Sequence, residues 1–257
     1  GRPIGGGTYF SKDQWTSALK QISEIYAAEP EKFMSYADRV QEGINALNIV
    51  ESKNDSFENI VLEKYSELLL KNIDDEFGGF KGAPKFPQFY LFDAMFYFYL
   101  KTGNEKYFKP VETLLFNISS KGMYDHLSGG IARYAVDENW IVPHFEKMLY
   151  DNIQFVNLLN KFYQKTKDIY YKNKLEQTIT FINNEFKNDL GLYGSAYDAD
   201  SDGVEGKYYV WNYKELDQIL SNKLDLFKKK YIFNEKGNFE GNNILIENNL
   251  EISIEER

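Results

Sequence analysis

Long, glycine-rich connections alternate with short ones between the helical segments of this chain, and the alternation limits the folds open to it. The long connections are predicted at 73–87, 122–144 and 189–211, and the short ones lie near Gly103 and Lys167. Helices that are joined by a short connection run antiparallel. We therefore expect the three long loops to emerge at the same end of a set of helical hairpins.

The long loops also share a glycine signature that recurs along the chain. Its three occurrences start about 50–60 residues apart, and a repeat of that length is typical of arrays of supersecondary units. A closed ring of helical hairpins needs more than three of them, so the sequence predicts an incomplete array. The three occurrences are Gly78-Gly79-Phe80, Gly129-Gly130-Ile131 and Gly191-Leu192-Tyr193-Gly194.

Apolar residues at helical spacing predict a mainly α-helical protein. Ser11 and Gln14 fit a capping box at the start of a first helix. The polar stretch 51–56 is predicted to be a linker, and a small β-hairpin is predicted around Gly237 and Gly241. Further helices are predicted at 31–47, 57–72, 88–102, 105–121, 145–166, 169–188 and 213–230.

Composition excludes several classes of protein. Of the 257 residues, 43% are hydrophobic, enough for a large core or two domains. The net charge of −9 argues against nucleic acid as a partner, because phosphates need lysine and arginine. The absence of cysteine excludes disulfides, thiolate metal sites and cysteine nucleophiles. The longest apolar run, 89–100, is broken by Asp93, so neither a membrane span nor a signal peptide is predicted, and a cytoplasmic location is expected.

The stretch 122–152 concentrates the chemistry of the chain. Both histidines, His126 and His144, lie in it, and a loop of this length inside a compact domain is usually functional. Imidazole is the natural acid or base near neutral pH, although a histidine that only hydrogen-bonds a loop is equally compatible with the pattern. Glu146 is predicted in the first turn of a helix, where the helix dipole alone favours an acid. The stretch also contains Asp125, Arg133, Asp137, Glu138 and Trp140.

The third long loop contains an aspartate-rich segment, 198–206, with the sequence DADSDGVEG. Its start resembles a calcium-binding loop, which surrounds the ion with oxygens at a tight glycine turn. The resemblance fails at the twelfth position, which is Tyr209 instead of a bidentate glutamate. Two other interpretations remain open: a turn whose side chains accept backbone N–H groups, and a carboxylate cluster that faces a pocket. We expect no metal and no cofactor.

Five motifs occur along the chain in one order and cover most of it. They are GGTYF (6–10), GGFKGAPKFPQ (78–88), YDHLSGGIARYAVDENWIVPHFEKMLYDN (124–152), SAYDADSDGVEGKYYVW (195–211) and GNFEGNNIL (237–245). Together they resemble the YyaL-type, spermatogenesis-associated, thioredoxin-domain-containing family. The chain departs from that family at Ser11, His126 and Asp202, where the family usually or often has proline, glutamine and glutamate.

This resemblance implies a mainly α-helical fold in two parts. Residues 1–50 would be the C-terminal remnant of a thioredoxin-like domain. Residues 51–257 would form a partial (α/α)6 toroid of the six-hairpin glycosidase and sugar-epimerase type. Such toroids place their site where the loops between helices converge, which agrees with the three hairpins predicted above.

The resemblance and the residue chemistry together favour an enzyme domain that acts on a carbohydrate or related polyol, by isomerisation, epimerisation or hydrolysis. His144 is the predicted general acid and base, Arg133 would clamp an anion or a hydroxyl, and Trp140 would stack on a sugar face. The predicted catalytic residues are His144, Asp125, Asp198 and Asp200, and the predicted substrate contacts are Arg133, Trp140, His126, Glu146, Glu205 and Tyr197.

The alternative is a non-catalytic module that binds a ligand or client protein beside a redox domain. Catalysis predicts shifted pKa values in a cleft, whereas a scaffold predicts aspartates and histidines that are engaged by loop backbone. On either hypothesis we expect a small, carbohydrate-like ligand, no nucleic acid and no membrane. An unclosed array would expose an apolar edge, formed by the predicted helices 145–166 and 213–230, through which the chain could self-associate.

Overall fold

The computed structural model describes residues 1–7, 9–48 and 62–248. The chain divides into two compact units, Gly1–Ile60 and Val61–Arg257. The described residues are mainly α-helical, as predicted, and their strands are all two residues long. The division between the units falls within 49–61, outside the described residues, and the assignment of the first unit to a thioredoxin-like domain stays a prediction. In the described part of the chain, every helix is too short or too polar to cross a bilayer.

The first unit contains two helices, α1 (Lys12–Ala28) and α2 (Pro30–Asn48). The predicted capping box at the start of α1 is confirmed, because Ser11 Oγ accepts the N–H of Gln14 and Gln14 Oε1 accepts the N–H of Ser11. These two bonds satisfy N–H groups that the start of a helix leaves without a helical partner. No residue of α1 is buried.

The second unit is built from helical hairpins. Its helices, in the described residues, are α3 (Leu62–Lys71), α4 (Phe89–Thr102), α5 (Glu105–Ser120), α6 (Leu149–Thr166), α7 (Ile169–Phe181), α8 (Tyr213–Leu220) and α9 (Leu224–Lys230). Gly103 joins α4 to α5 and Lys167 joins α6 to α7, and both joining residues have positive φ, 67° and 60°. This left-handed conformation ends the first helix of each pair and turns the chain back. α4 also packs against α6, so the two hairpins lie side by side.

The core of the second unit lies between α4, α5 and α6 and is rich in aromatic side chains. Phe92, Leu114 and Leu159 are fully buried, and the ring centroids of Phe96 and Phe162 lie 5.7 Å apart. Burying one such side chain stabilises the fold by about 1.5–3 kcal/mol. The long loops are therefore anchored at the end of a tightly packed helical core.

Short antiparallel strand pairs fasten the loops to one another. The pairs are β1 (Tyr134–Ala135) with β2 (Pro143–His144), β3 (Lys147–Met148) with β4 (Ala196–Tyr197), β5 (Asp200–Ser201) with β6 (Val204–Glu205), and β7 (Tyr231–Ile232) with β8 (Ile246–Glu247). The β3–β4 pair joins the second long loop to the third, and a bridge between Lys85 and Ala135 joins the first to the second. The three loops therefore meet at one end of the array, as predicted. The β7–β8 pair is the predicted small hairpin.

The first two long loops have the same internal geometry. In each, Oδ1 of an aspartate, Asp74 or Asp125, accepts the N–H groups two and three residues later at 2.9–3.0 Å. The carbonyl of the same aspartate accepts the N–H of the first glycine of the signature at 2.9 Å. A lysine, Lys85 or Lys147, donates to Oδ2. The recurring glycine signature thus marks a turn that is built twice from the same contacts.

The start of α6 differs from the prediction. The helix expected from 145 begins at Leu149, because Lys147 and Met148 pair with β4 and are held extended. Periodicity could not detect this pairing, since the partner strand lies about 50 residues further along the chain. Glu146 therefore lies between two strands and not in the first turn of a helix, and the helix-dipole explanation for its position does not apply.

Two other predicted helices end or divide earlier than expected. The helix predicted at 169–188 is α-helical only to Phe181 and continues as one π-helical turn at Ile182–Phe186. The helix predicted at 213–230 is divided by a 3-10 turn at Ser221–Lys223, where Ser221 has a φ of 47°. A positive φ interrupts a right-handed helix, so the predicted single helix becomes α8 and α9.

Candidate functional site

The second and third long loops enclose a cavity of about 330 Å³, which we call the loop cavity. The pairing of Lys147 with Tyr197 brings the two loops together, and Phe181 at the end of α7 forms part of the wall. A volume of this size suits a small organic ligand. Four carboxylates and four aromatic rings line it, namely Asp125, Glu185, Asp198 and Asp200, and Phe181, Tyr197, Tyr208 and Tyr209.

Some of the residues predicted from sequence meet in the loop cavity and others do not. Asp125, Tyr197, Asp198 and Asp200 line it. A neighbouring cavity, partly lined by His126, has a volume of about 40 Å³, which is room for one or two water molecules. The loop cavity is therefore the candidate ligand site.

Asp125 is held by its own loop. Oδ1 accepts the N–H groups of Leu127 and Ser128, both at 3.0 Å, and Oδ2 accepts from Lys147 Nζ at 2.8 Å. A carboxylate with this many donors is fixed in orientation. Asp125 is thus suited to positioning Lys147 and shaping the wall of the loop cavity.

Lys147 is a site residue that the sequence analysis missed. Its side chain is 3% exposed, and Nζ donates to the carbonyl of Gly129 at 3.0 Å as well as to Asp125. The ammonium also lies 4.3 Å and 4.7 Å from the ring centroids of Phe181 and Tyr209. Burial lowers the pKa of Lys147, and the charge of Asp125 opposes that shift. Nothing in the sequence indicates this role, and the parallel with Lys85, which contacts Asp74 in the equivalent turn, is visible only in the structure.

The aspartate-rich segment forms the hairpin β5–β6 at the mouth of the loop cavity. Asp202 and Gly203 turn the chain with φ of 54° and 75°, and Asp198 Oδ1 accepts the N–H of Asp200 at 3.1 Å. The interpretation as a turn that satisfies its own backbone is therefore confirmed for Asp198. Among the described residues, no group of three or more His, Asp or Glu side chains is placed to hold a metal ion.

His144 lies in a second cluster beside the loop cavity and not among its lining residues. Nδ1 is 2.7 Å from Oε1 of Glu205, and the ring stacks on Tyr134 with centroids 4.9 Å apart. A carboxylate on one imidazole nitrogen orients the ring, and the other nitrogen, Nε2, lies 3.9 Å from Oε2 of Glu146. The expected acid from the third loop is thus present. In the β5–β6 hairpin, Glu205 is the register partner of Asp200, and Asp200 does line the loop cavity.

Arg133 and Asp151 extend this second cluster. Arg133 Nη1 donates to Oε2 of Glu146 at 2.9 Å, so the predicted clamp is engaged by a neighbouring acid. Among the described residues, neither Arg133 Nε nor Asp151 Oδ2, both buried, has a hydrogen-bond partner. Burial raises the pKa of Asp151 to about 7, and the charge of Arg133 opposes the shift. Asp151 was not predicted, because the sequence placed it inside a helix that begins at 145, and only the later start of α6 at Leu149 puts it in the first turn.

Trp140 does not fit the predicted role of a stacking platform. Its side chain is fully buried, its Nε1–H donates to the carbonyl of Phe77 at 2.9 Å, and its ring packs against Lys85, whose ammonium lies 5.3 Å from the centroid. The ring has no face open to a ligand. Trp140 instead fastens the second long loop to the first.

His126 likewise takes part in a buried network. Its side chain is 1% exposed, its Nε2 lies 3.1 Å from the carbonyl of Lys121, and burial lowers its pKa. Its Nδ1 is 3.5 Å from Glu247, which also accepts from Lys174 at 2.7 Å. Burial opposes ionisation of Glu247, but His126 and Lys174 together lower the pKa of Glu247 to about 2. This network ties β8 to α7, so direct contact of His126 with a ligand in the loop cavity is not supported by its position.

The second unit is an array of helical hairpins, and its converging loops enclose a cavity large enough for a small ligand. The chain is similar to Spermatogenesis-associated protein 20 of Homo sapiens, with 28% identity over 267 residues, and to the proteins of the same name from Mus musculus and Rattus norvegicus, with 27% and 26% identity. These relatives support the family resemblance that the motifs predicted. Each alignment covers 92% of this chain and 34% of the relative, so the chain spans about a third of the length of these curated relatives. No protein-family model matches the chain.

Proposed function

We propose that the loop cavity binds a carbohydrate-like polyol and that the chain is the carbohydrate-active part, isomerase, epimerase or hydrolase, of a thioredoxin-domain-containing protein. The observation that carries the proposal is the lining of the loop cavity, which combines carboxylates with tyrosine rings on the loops of a helical array. Carboxylates accept hydrogen bonds from hydroxyl groups, and aromatic rings pack on the apolar faces of sugar rings.

The proposal gives each polar group of the loop cavity a role that its contacts allow. Among the described residues, the Asp200 carboxylate accepts no hydrogen bond and makes no ion pair, and only its backbone N–H is engaged, by Asp198 Oδ1. It is therefore the favoured acid or base toward a bound hydroxyl or carbon. Asp198 and Tyr197 hold hydroxyls, and the Lys147–Asp125 pair fixes the wall. His144, paired with Glu205 beside the cavity, is proposed to exchange protons at the edge of the site.

The test is an NMR titration of the chain with a panel of monosaccharides and polyols in D₂O. Binding should give saturable shifts, and isomerisation or epimerisation should exchange carbon-bound hydrogen for deuterium. Asp200→Asn should abolish exchange and weaken binding about tenfold, because a hydrogen bond to a charged group is lost. Asp202→Asn, on the same hairpin but outside the lining, should change neither. Failure of every member of the panel to bind would overturn the proposal.

A non-catalytic ligand- or client-binding scaffold remains a second candidate. Asp125 and Asp198 accept backbone N–H groups, as that hypothesis predicted, whereas the shifted pKa of Lys147 in the loop cavity is the mark predicted for catalysis. Saturable binding with no deuterium exchange and no hydrolysis of a disaccharide panel would favour the scaffold.

We further propose the domain organisation, the cellular location and the self-association of the chain. The first unit is the remnant of a thioredoxin-like domain, and the second is a partial toroid. The protein is cytoplasmic, in keeping with a chain that contains no cysteine. The chain self-associates through an open apolar edge. The sequence predicted this edge on the helices at 145–166 and 213–230, and we propose that α6 forms it together with α7, where Ile153 and Ile179 are 49% and 40% exposed.

A further inference from the structure

We infer that the loop cavity selects a polyol that bears a protonated amino group over the neutral polyol, and rejects the phosphorylated one. The inference rests on the proposed function, because it names the charge of the ligand that the same cavity takes. It follows from the balance of charges around the cavity and from which of those charges already have partners.

The carboxylates that line the loop cavity outnumber the cationic side chains that line it. Glu185, Asp198 and Asp200 all line it, and within the described residues none of the three makes an ion pair within 4.0 Å. All three residues are exposed, and unpaired carboxylates on a cavity wall attract a positive charge that enters the cavity. A ligand with a positive charge therefore gains energy that a neutral ligand of the same shape does not.

The positive charges nearby are already engaged. Lys147 is the one cationic side chain among the described residues that line the loop cavity. It is almost fully buried, and it is paired with Asp125. Lys207, on the adjacent hairpin, is exposed and paired with Asp202 at 2.8 Å. Phosphate recognition needs an arginine fork, a free ammonium or a set of N–H groups, so a phosphorylated ligand would meet carboxylates instead.

The aromatic walls favour the same ligand charge. The rings of Tyr197 and Tyr208 are 38% and 68% exposed, and a ring face attracts a cation that lies within about 6 Å. The protein already accommodates one ammonium in this way, because Lys147 lies against Phe181 and Tyr209 with Asp125 as its counter-charge. The other lining residues offer the same combination of aromatic rings, Tyr197 and Tyr208, and carboxylates, Glu185, Asp198 and Asp200.

The arrangement suits an ammonium better than a metal ion. A divalent cation needs several oxygens converging within about 2.6 Å of one point, and no such group of acidic side chains occurs among the described residues. An ammonium tolerates wider spacing, since it donates up to three hydrogen bonds and is also attracted to ring faces. The carboxylates are therefore assigned to a diffuse cationic site with hydroxyl contacts.

The experiment compares three ligands with one sugar skeleton: glucosamine, glucose and glucose 6-phosphate. Each is titrated into the 257-residue chain at constant ionic strength, at about pH 6, where an amine is protonated and carboxylates are ionised. Glucosamine should bind about tenfold more tightly than glucose, and glucose 6-phosphate more weakly than glucose. Raising the salt concentration should weaken the binding of glucosamine but not that of glucose.

Two variants locate the effect. Glu185→Gln and Asp200→Asn should each lower the affinity for glucosamine about three- to tenfold and the affinity for glucose by less, since one attractive charge is removed. Asp202→Asn is the matched control, because Asp202 lies on the same hairpin and is paired with Lys207 away from the lining. Circular dichroism of each variant shows whether the fold is intact, and the salt dependence of the unaltered chain tests the inference without any variant.

The possible results separate this inference from the proposed function. Equal affinity for glucosamine and glucose, or tighter binding of glucose 6-phosphate, overturns the inference and leaves the polyol site in place. An absence of binding by all three ligands to a folded chain overturns the polyol site, and the inference with it. A preference for glucosamine that survives both Glu185→Gln and Asp200→Asn places the ammonium elsewhere and also overturns the inference.

Discussion

Lys147 Nζ donates to Asp125 Oδ2 at 2.8 Å inside the second long loop, and Lys85 makes the same contact with Asp74 in the first. The two pairs hold equivalent turns in consecutive hairpins, so they belong to the framework of the array. The second pair also forms part of the wall of the loop cavity. A contact that organises the fold is thus shared with the candidate site.

Removing the ammonium of Lys147 should destabilise the protein strongly. The side chains of Lys147 and Asp125 are 3% and 13% exposed, so Lys147→Met leaves a nearly buried carboxylate without its cation, at a cost of about 3–5 kcal/mol. Adding Asp125→Asn should restore part of the loss. Urea unfolding gives the free energies, and Lys207→Met, in an exposed pair with Asp202, is the control. Equal effects of the two lysine substitutions would contradict the prediction.

Asp151 should make stability depend on pH. Burial raises its pKa to about 7, so the folded chain holds the proton more tightly than the unfolded chain, whose carboxyl titrates near about 4. The contribution of Asp151 to stability should therefore fall as the pH rises from about 4 to about 7. Asp151→Asn should remove this part of the dependence. A carbon NMR titration of the Asp151 carboxyl should show a midpoint near 7, and an ordinary midpoint near 4 would refute the assignment.

Gly78 should not tolerate a side chain. It has a φ of 73°, and a Cβ added there would lie 2.6 Å from both Cα and N of Leu114 in α5. Gly82 also has a positive φ, 101°, but a Cβ there would meet nothing within 4 Å. Gly78→Ala should therefore cost about 1–3 kcal/mol more than Gly82→Ala. Thermal and urea unfolding of the two variants provide the comparison, and similar losses would mean that backbone strain alone acts at both sites.

The predicted self-association should depend on the apolar groove between α6 and α7, which Ile153, Val156 and Ile179 line. Ile153→Glu and Ile179→Glu should reduce association, because a charge cannot be buried in an apolar contact. Leu190→Glu, at a loop position that is 84% exposed, should have no effect. Size-exclusion chromatography with light scattering measures the association. A monomer for the unaltered chain at all concentrations would contradict the prediction.

The sequence allowed the arrangement of the loops to be predicted, because alternating short and long connections restrict hairpins to one orientation. The capping box of Ser11 and the β7–β8 hairpin were predicted for a similar reason: both are local patterns. The start of α6 was not, since the extended backbone of Lys147 depends on a partner strand that is distant in sequence. Long-range pairing overrides local helical periodicity at that position.

The candidate site could be predicted only in part. Asp198 and Asp200 were found because three aspartates around a glycine are a strong local signal, whereas Lys147 carries no local mark of burial. Trp140 was assigned to a ligand because aromatic side chains serve both ligands and cores, and only the contact of its indole N–H with Phe77 shows which applies. The residue types in the sequence identified the loops that form the cavity. Which of their side chains face it depends on tertiary packing, which the sequence pattern does not show.

The two lysines have a further consequence for how the loop end of the molecule moves. Each holds an aspartate of its own loop with its side chain and pairs with the following loop through its backbone, Lys85 with Ala135 and Lys147 with Tyr197. The three loops are thus linked in series, and an opening fluctuation in one must break contacts with the next. Local unfolding should accordingly spread from the first loop to the third as one cooperative unit. A substitution in the first loop, at Lys85, would then alter how long the loops around the cavity stay paired.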